Sequence, residues 1–393
     1  LNILQIAHDP AGPFAAICHQ YNAAFIKSGR APDGLSGLGS HDVPGDVHVT
    51  TLYLQGETNP DVIRATGGDE VIFFEQGQGT LRGIKFASLF KLARLFRQRR
   101  FDVVIAHRYK PIYLAGIMSF FFPIRLLLAV AHEHSIFRRP TRRLFMTFWR
   151  PMIAIAAVSR SVRDDVAKTC PGVSERGRLH VLPNALDVPA QQRQLLDRGT
   201  ARRALGLPAE GFVYGTVGRL IGKKDHDALI RAFARLEDDS HLVLIGGGTR
   251  LDDITALVHR CGVAGQVTLA GHVPGAMRYL RALDAFVFPS GRAEAFGLVL
   301  LEAMLARLPI ICSDAPGPRE VVDRHAFSFE VGNDEDLARA MRDLRDTDGD
   351  ALATMTESAR QRLIRHYSYG AFHRQFWDLP PLRRVLHEMA RGG

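Results

Sequence analysis

The feature that most constrains this chain is the alternation, from end to end, of short continuous apolar runs with amphipathic segments. In the second half, residues 212–217, 241–245, 267–270, 285–289 and 309–313 read as strands, and 225–236, 251–261 and 298–306 carry the period of helices. A strand that is apolar throughout is buried on both faces, the habit of parallel sheets covered by helices. The first half follows the same rhythm, with 3–7, 47–53, 70–74, 103–106, 126–131 and 153–158 as strands and 14–26 and 84–97 as helices. The stretch Pro183-Asn184-Ala185-Leu186-Asp187, followed by a polar segment, breaks it. A length of 393 residues fits two domains. The expectation is therefore an α/β protein of two Rossmann-like domains facing a cleft, residues 1–187 and 188–368, with ligands beyond the carboxyl ends of the strands.

Composition excludes several classes. Four cysteines (Cys18, Cys170, Cys261 and Cys312) are far apart, which argues against a zinc ribbon, an iron–sulfur site or a disulfide scaffold and fits a reducing compartment. The opening run Leu-Asn-Ile-Leu-Gln-Ile-Ala has neither a basic region nor a cleavage site, so no signal peptide is expected. The most apolar stretch, 115–131, carries Pro123 and Arg125 near its middle, which disfavours a membrane span. A cytoplasmic protein is expected. Residues 28–46 hold five Gly and two Pro, and read as a loop insertion or an acceptor-side lid.

Two loops carry the chemistry. Gly218-Arg219-Leu220-Ile221-Gly222-Lys223-Lys224 follows a strand, where glycines admit a ligand to the backbone and Arg219 and Lys224 suit a diphosphate. Glu294-Ala295-Phe296-Gly297-Leu298 precedes a helix on which Glu302 follows Gly297 by five residues, roughly 7.5 Å along the axis. Free N–H groups at Phe296, Gly297 and Leu298 make an anion site at that helix start, with Glu294 and Glu302 placed to grip hydroxyls on either side. A nucleotide sugar has that shape. The competing reading is a Gly turn with solvated cations and a capping glutamate.

The ordered set GRLIGKK, LIGGG, LAGHVP, FVFPS, EAFGLVLLEAM and ICSDAPGPREVV resembles the donor half of the family 4 glycosyltransferases, and AAVSRSVRDD and VLPNALD are similar to segments of their first half. The resemblance implies the GT-B fold, with the terminal segment 369–393 packing back on the first domain. It implies that Arg219 and Lys224 neutralise the donor diphosphate, that Glu302 meets the nucleotide ribose, and that Glu294 contacts donor-sugar hydroxyls. Gly218, His272, Phe296, Gly297 and Leu298 would complete the donor site. Gly12 matches the N-terminal glycine loop, and His134, in preference to His132, matches a histidine that faces the donor sugar. Asp225 and Ala185 stand where the family has Gly, as does Pro13 in the N-terminal loop. His107 ends a strand and reads as a satisfied surface histidine, with Arg108 and Lys110 beside it as contacts for an anionic acceptor. Asp346, Asp348, Asp350 and Glu357 imitate a calcium loop, but Ala351 occupies the position where such a loop needs Gly.

The resemblance further implies retaining transfer of a hexose from a UDP- or GDP-linked sugar, with no metal and no further cofactor. The leading acceptors are a saccharide or a lipid-linked glycan of bacterial lipopolysaccharide or surface-polysaccharide type. Charge bears on the acceptor. The net charge is +9, and residues 1–187 hold 23 Lys and Arg against 15 Asp and Glu, so nearly all the excess lies there. Segments 82–100 and 138–150 mix those cations with apolar side chains, and Phe86, Phe90 and Phe96 would enter the headgroups of an anionic membrane. The alternative is an ordinary sheet-covering helix with a solvated basic face. No nucleic-acid-binding signature accompanies the charge. A nucleotide-sugar epimerase of the same fold and a non-catalytic sugar-nucleotide binder are the rival readings.

Overall fold

The structure, a computed structural model, describes residues 1–25, 47–75, 86–147 and 153–392. It falls into two compact units, Leu1–Asn184 with Tyr369–Gly393, and Ala185–Ser368. The loop expected at 28–46, the start of segment 82–100 and the end of segment 138–150 lie outside the described residues.

In the first unit the strands are β1 (Asn2–Ala7), β2 (His48–Tyr53), β3 (Glu70–Phe73), β4 (Val103–His107), β5 (Leu126–Ala131), β6 (Ile153–Ala157) and β7 (Leu179–Val181). They form one sheet in the order β3-β2-β1-β4-β5-β6-β7, every pairing parallel. The all-apolar β5 is buried along its whole length, as expected of a strand covered on both faces. Each Leu or Val so buried contributes about 1.5–3 kcal/mol. The helices Tyr369–Trp377 and Pro380–Gly392 belong to this unit. Trp377 donates its indole N–H to the Ala24 carbonyl at 2.9 Å, and Tyr21 meets Phe372 edge to face at 4.9 Å.

The second unit contains β8 (Val213–Val217), β9 (His241–Ile245), β10 (Val267–Gly271), β11 (Ala285–Phe288), β12 (Ile310–Ser313) and β13 (Phe327–Phe329), parallel, in the order β10-β9-β8-β11-β12-β13. Its core gathers Tyr214, Leu229, Phe233, Leu244, Val287 and Met341. Arg202 is buried there and donates to the Asp284 carboxylate at 2.7 Å and to the Ala282 carbonyl at 3.0 Å. Where the chain leaves the second unit, Ser368 bridges Leu186, whose N–H donates to the Tyr367 carbonyl at 2.8 Å.

Both sheets are of the parallel, helix-covered kind that the apolar runs predict. Strands β7 and β13 are not anticipated; at three residues each they are too short to show a period. The acidic stretch that imitates a calcium loop serves a helix instead. Asp348 accepts from the N–H groups of Asp350 and Ala351 at 2.9 and 3.2 Å, capping Gly349–Tyr367, and Glu357 pairs with Arg307 at 2.9 Å.

Strand order reverses between β1 and β4 in one sheet and between β8 and β11 in the other. At such a reversal the flanking helices diverge and leave a crevice beyond the strand ends, where α/β proteins hold ligands. Most of the sequence-derived site residues follow β1, β8 and β11; His134 follows β5 and His272 follows β10.

Candidate active site

In the second unit, β8 runs into a loop that zips against the loop after β9. Gly218 N–H donates to the Ile245 carbonyl at 3.0 Å and Leu220 N–H to that of Gly247 at 2.9 Å. The approach is so close that a Cβ on Gly246 would lie 1.9 Å from the Gly218 carbonyl oxygen. His272, just past β10, lies against Gly247. The chain then makes a short turn, Gly222–Lys224, and enters the helix His226–Ala234 through Asp225. Asp225 has φ +46° and its carboxylate accepts from Ala228 N–H at 3.4 Å. The family's usual Gly is thus replaced by a residue that tolerates the left-handed region and also caps the helix.

After β11 the Gly291 N–H donates to the Lys223 carbonyl at 2.9 Å, tying the two loops together. Lys224 Nζ is 2.8 Å from Glu294 Oε2 and 4.9 Å from the centre of the Phe288 ring, and Lys223 Nζ is 3.7 Å from the same oxygen. Burial pushes the Glu294 carboxyl up, but the two ammonium groups outweigh it and hold the carboxyl below its usual value. Burial lowers the Lys224 ammonium, and Glu294 offsets only part of that. Arg219 is exposed. Among the described residues no cation compensates Glu302, and burial pushes its carboxyl up to about 7.

Gly297 stands at the start of the helix Leu298–Leu305 with φ +91°, and among the described residues no side chain caps that helix. A Cβ there would lie 2.9 Å from the Phe288 ring, so both the backbone twist and the contact require Gly. The uncapped N-terminus leaves backbone donors for an anion. Phe296 is buried, its ring edge to face with Tyr367 at 5.7 Å. The second unit therefore brings Lys224 and Glu294 into contact and sets Gly218, Arg219, His272, Phe296, Gly297, Leu298 and Glu302 on the surrounding loops and helix.

In the first unit Gly12 has φ +62° in the turn after β1, where Ala11 N–H donates to Asp9 Oδ1 at 2.9 Å. His8 Nδ1 lies 2.5 Å from Asp9 Oδ2, and this bond is the chief cause that lowers the Asp9 carboxyl. Lys110 Nζ is 3.1 Å from His8 Nε2. His134 Nε2 lies 3.1 Å from Ser161 Oγ, which is 2.9 Å from Ser159 Oγ, the cap of the helix Arg160–Thr169. His107 is not on the surface. It is fully buried, with His132 at 2.9 Å and Gln5 at 2.8 Å. The signal that could have located it is Gln5, a polar residue inside an apolar strand. Arg108 has φ +67°, and its guanidinium lies 4.3 Å from the centre of the Phe14 ring.

The helix Phe86–Gln98 corrects a second expectation. Phe86 and Phe90 are exposed, at 71% and 68%, but Phe96 is 5% exposed and packs on Phe101 and Phe122. Leu92 and Leu95 are buried with it, so Phe96 falls on the helix's inner stripe. Phe121, at the end of Tyr109–Phe121, is 74% exposed.

Two family models match the chain: Glycosyl transferases group 1 over residues 197–362 and Glycosyltransferase Family 4 over residues 45–189. A D-inositol 3-phosphate glycosyltransferase of Xylanimonas cellulosilytica is 32% identical over 57% of this chain and 54% of its own length. The lipopolysaccharide core biosynthesis glycosyltransferase LpsD of Rhizobium meliloti is 36% identical over 37% of this chain and 43% of its own. The chain thus spans about half the length of these curated relatives. Among solved structures, Anabaena Alr3699/HepE in complex with UDP and glucose superimposes with a TM-score of 0.74 at 18% identity, covering 96% of this chain and 98% of that one.

Proposed function

This chain belongs to the family 4 glycosyltransferases, and we propose on that premise that it transfers a hexose, with retention at the anomeric carbon, from a UDP- or GDP-linked sugar to a saccharide or lipid-linked acceptor of bacterial lipopolysaccharide or surface-glycan type. The observation that carries the reading is the buried Lys224–Glu294 pair at the β8/β11 reversal, with Arg219 on the same loop as the lysine.

In this reading the bond from the anomeric carbon to the diphosphate breaks with its electron pair on the leaving oxygen. Lys224, Arg219 and the uncapped N-terminus at Gly297 meet that charge, which is stabilisation preset before the reaction starts. The acceptor oxygen bonds to the anomeric carbon, and its proton passes to the departing phosphate oxygen. Glu294 orients donor hydroxyls while Glu302 accepts from the ribose. No step calls on a metal, so a chelator should leave turnover unchanged. The acceptor surface belongs to the first unit, where Phe86, Phe90 and Phe121 stand exposed among the exposed cations Arg94, Arg97 and Arg100. That mixture suits an anionic membrane carrying the acceptor.

Thermal shifts against UDP-, GDP- and ADP-sugars identify the donor, and transfer is then assayed with glycolipid acceptors. A product with the donor's own anomeric configuration by NMR supports retention; an inverted product overturns it. Isomerised donor without acceptor would support an epimerase instead, and donor binding without turnover a non-catalytic binder.

A further inference from the structure

The first unit contains a buried acceptor atom that its own fold leaves unused. His132, the residue after β5, has its Nδ1 buried with no hydrogen-bond partner among the described residues. Buried polar atoms are almost always paired, so this one asks for an explanation.

The bonds behind it set its protonation. Gln5 Nε2 lies 3.1 Å from the Cys18 carbonyl oxygen, which can only accept, so this end of the amide is the NH₂ and the other is the oxygen. The same NH₂ faces Asn22 Oδ1 at 2.8 Å and Thr51 Oγ1 at 3.2 Å. Gln5 Oε1 therefore accepts, and the donor 2.8 Å away is His107 Nε2–H. Burial pushes the His107 ring down to about 3, so it carries one proton and its Nδ1 is bare. His132 Nε2, 2.9 Å from that bare nitrogen, must then donate. Burial, His107 and Arg108 together hold His132 well below its usual value, so its single proton is committed to Nε2. Phe14, edge to face at 5.5 Å, and His107, stacked at 5.2 Å, hold the ring. His134 Nδ1 is also buried without a partner among the described residues, but its Nε2 meets a serine hydroxyl that can rotate to give or take the bond, so there no tautomer is imposed.

We propose that Gln5 and His107 are positioning residues for His132: they fix its ring and commit its proton to Nε2, so that Nδ1 is a preset acceptor for a hydroxyl of the bound sugar substrate. A ring placed in this way accepts without reorganising when the substrate arrives, which is where preorganised hydrogen bonds gain their effect. The inference rests on the glycosyl-transfer reading for the identity of the hydroxyl, and on the hydrogen bonds alone for the tautomer.

The experiment has two arms. Nitrogen-15 NMR of histidine-labelled, ligand-free protein reads the tautomer, with His132 and His107 assigned from H132N and H107Q. A His132 ring protonated on Nε2 alone is expected; protonation on Nδ1, or a mixture, overturns the proposal. In the second arm kcat/KM for transfer falls roughly tenfold in His107→Phe and Gln5→Leu, the loss of about one hydrogen bond. His107→Gln, which offers the same acceptor and donor, restores most of it. Activity that follows thermal stability across the three variants, with no rescue by Gln, would mean a structural role only. Absence of transfer by the unaltered protein would overturn the glycosyl-transfer reading, while the NMR arm still decides the tautomer.

Discussion

The two sheets end in opposite kinds of chemistry. Beyond β8 and β11 the second unit places Lys224, Lys223 and Glu294 in contact, with Arg219 exposed on the loop. At the ends of β4 and β5 the first unit places His107 and His132, both held neutral by burial and joined to Gln5 through uncharged hydrogen bonds. In the proposed function the difference follows from what each would meet: a leaving diphosphate calls for fixed positive charge, whereas a sugar hydroxyl calls only for a fixed acceptor. Ion pairs tolerate displacement because Coulomb energy falls slowly with distance; hydrogen bonds do not. The charged end can therefore be carried by loops, and the neutral one is built on strand ends.

The sharpest way to break the contrast is Lys224→Ala. It should lower the transfer rate about 10²–10³-fold, the range for removing one stabilising donor from a developing anion. A loss no larger than the roughly tenfold expected for His107→Phe would erase the distinction. Arg219→Ala should weaken nucleoside diphosphate about tenfold and the bare nucleoside hardly at all, as calorimetry would measure. On the first unit, replacing Phe86 and Phe90 together by Ser should reduce pelleting with anionic vesicles several-fold and leave donor affinity intact. Equal pelleting by the double variant would remove the membrane from the proposal.

A finer test concerns Glu302, whose folded carboxyl titrates near 7 against 4.5 for a free glutamate. In the proposed function its ionised form accepts from ribose hydroxyls, so nucleotide affinity should rise a few-fold as pH rises through about 7, and Glu302→Gln should flatten that rise. Linkage has the opposite sign for the empty protein. Between about 4.5 and 7 the folded state holds a proton that the unfolded chain has released, so this group's stabilising contribution is lost as pH rises. The smallest effect is at Asp225. Asp225→Gly loses the cap but relieves φ +46°, and should change stability by less than about 1 kcal/mol in chemical denaturation.

How much was legible beforehand depended on the range of the interaction. The parallel sheets were readable because a strand buried on both faces must be apolar at every position, as β5 is. Gly297 and the spacing of Glu294 and Glu302 were readable because a turn and one helix lie within a few residues. Phe96 was misplaced because its segment was read for composition; its inward direction came from packing on Phe101 and Phe122. His107 was misread because its partner Gln5 is 102 residues away.

By itself, then, the sequence determined the architecture and where the loops after β8 and β11 turn, since burial patterns, turns and helix starts are local consequences of side-chain chemistry. Only the tertiary structure decided that Lys224 meets Glu294, that Phe96 turns inward, and that His107 sits between Gln5 and His132. Those outcomes depend on hydrogen bonds and packing between segments far apart in the chain, and strand order, not spacing along the sequence, brings them together.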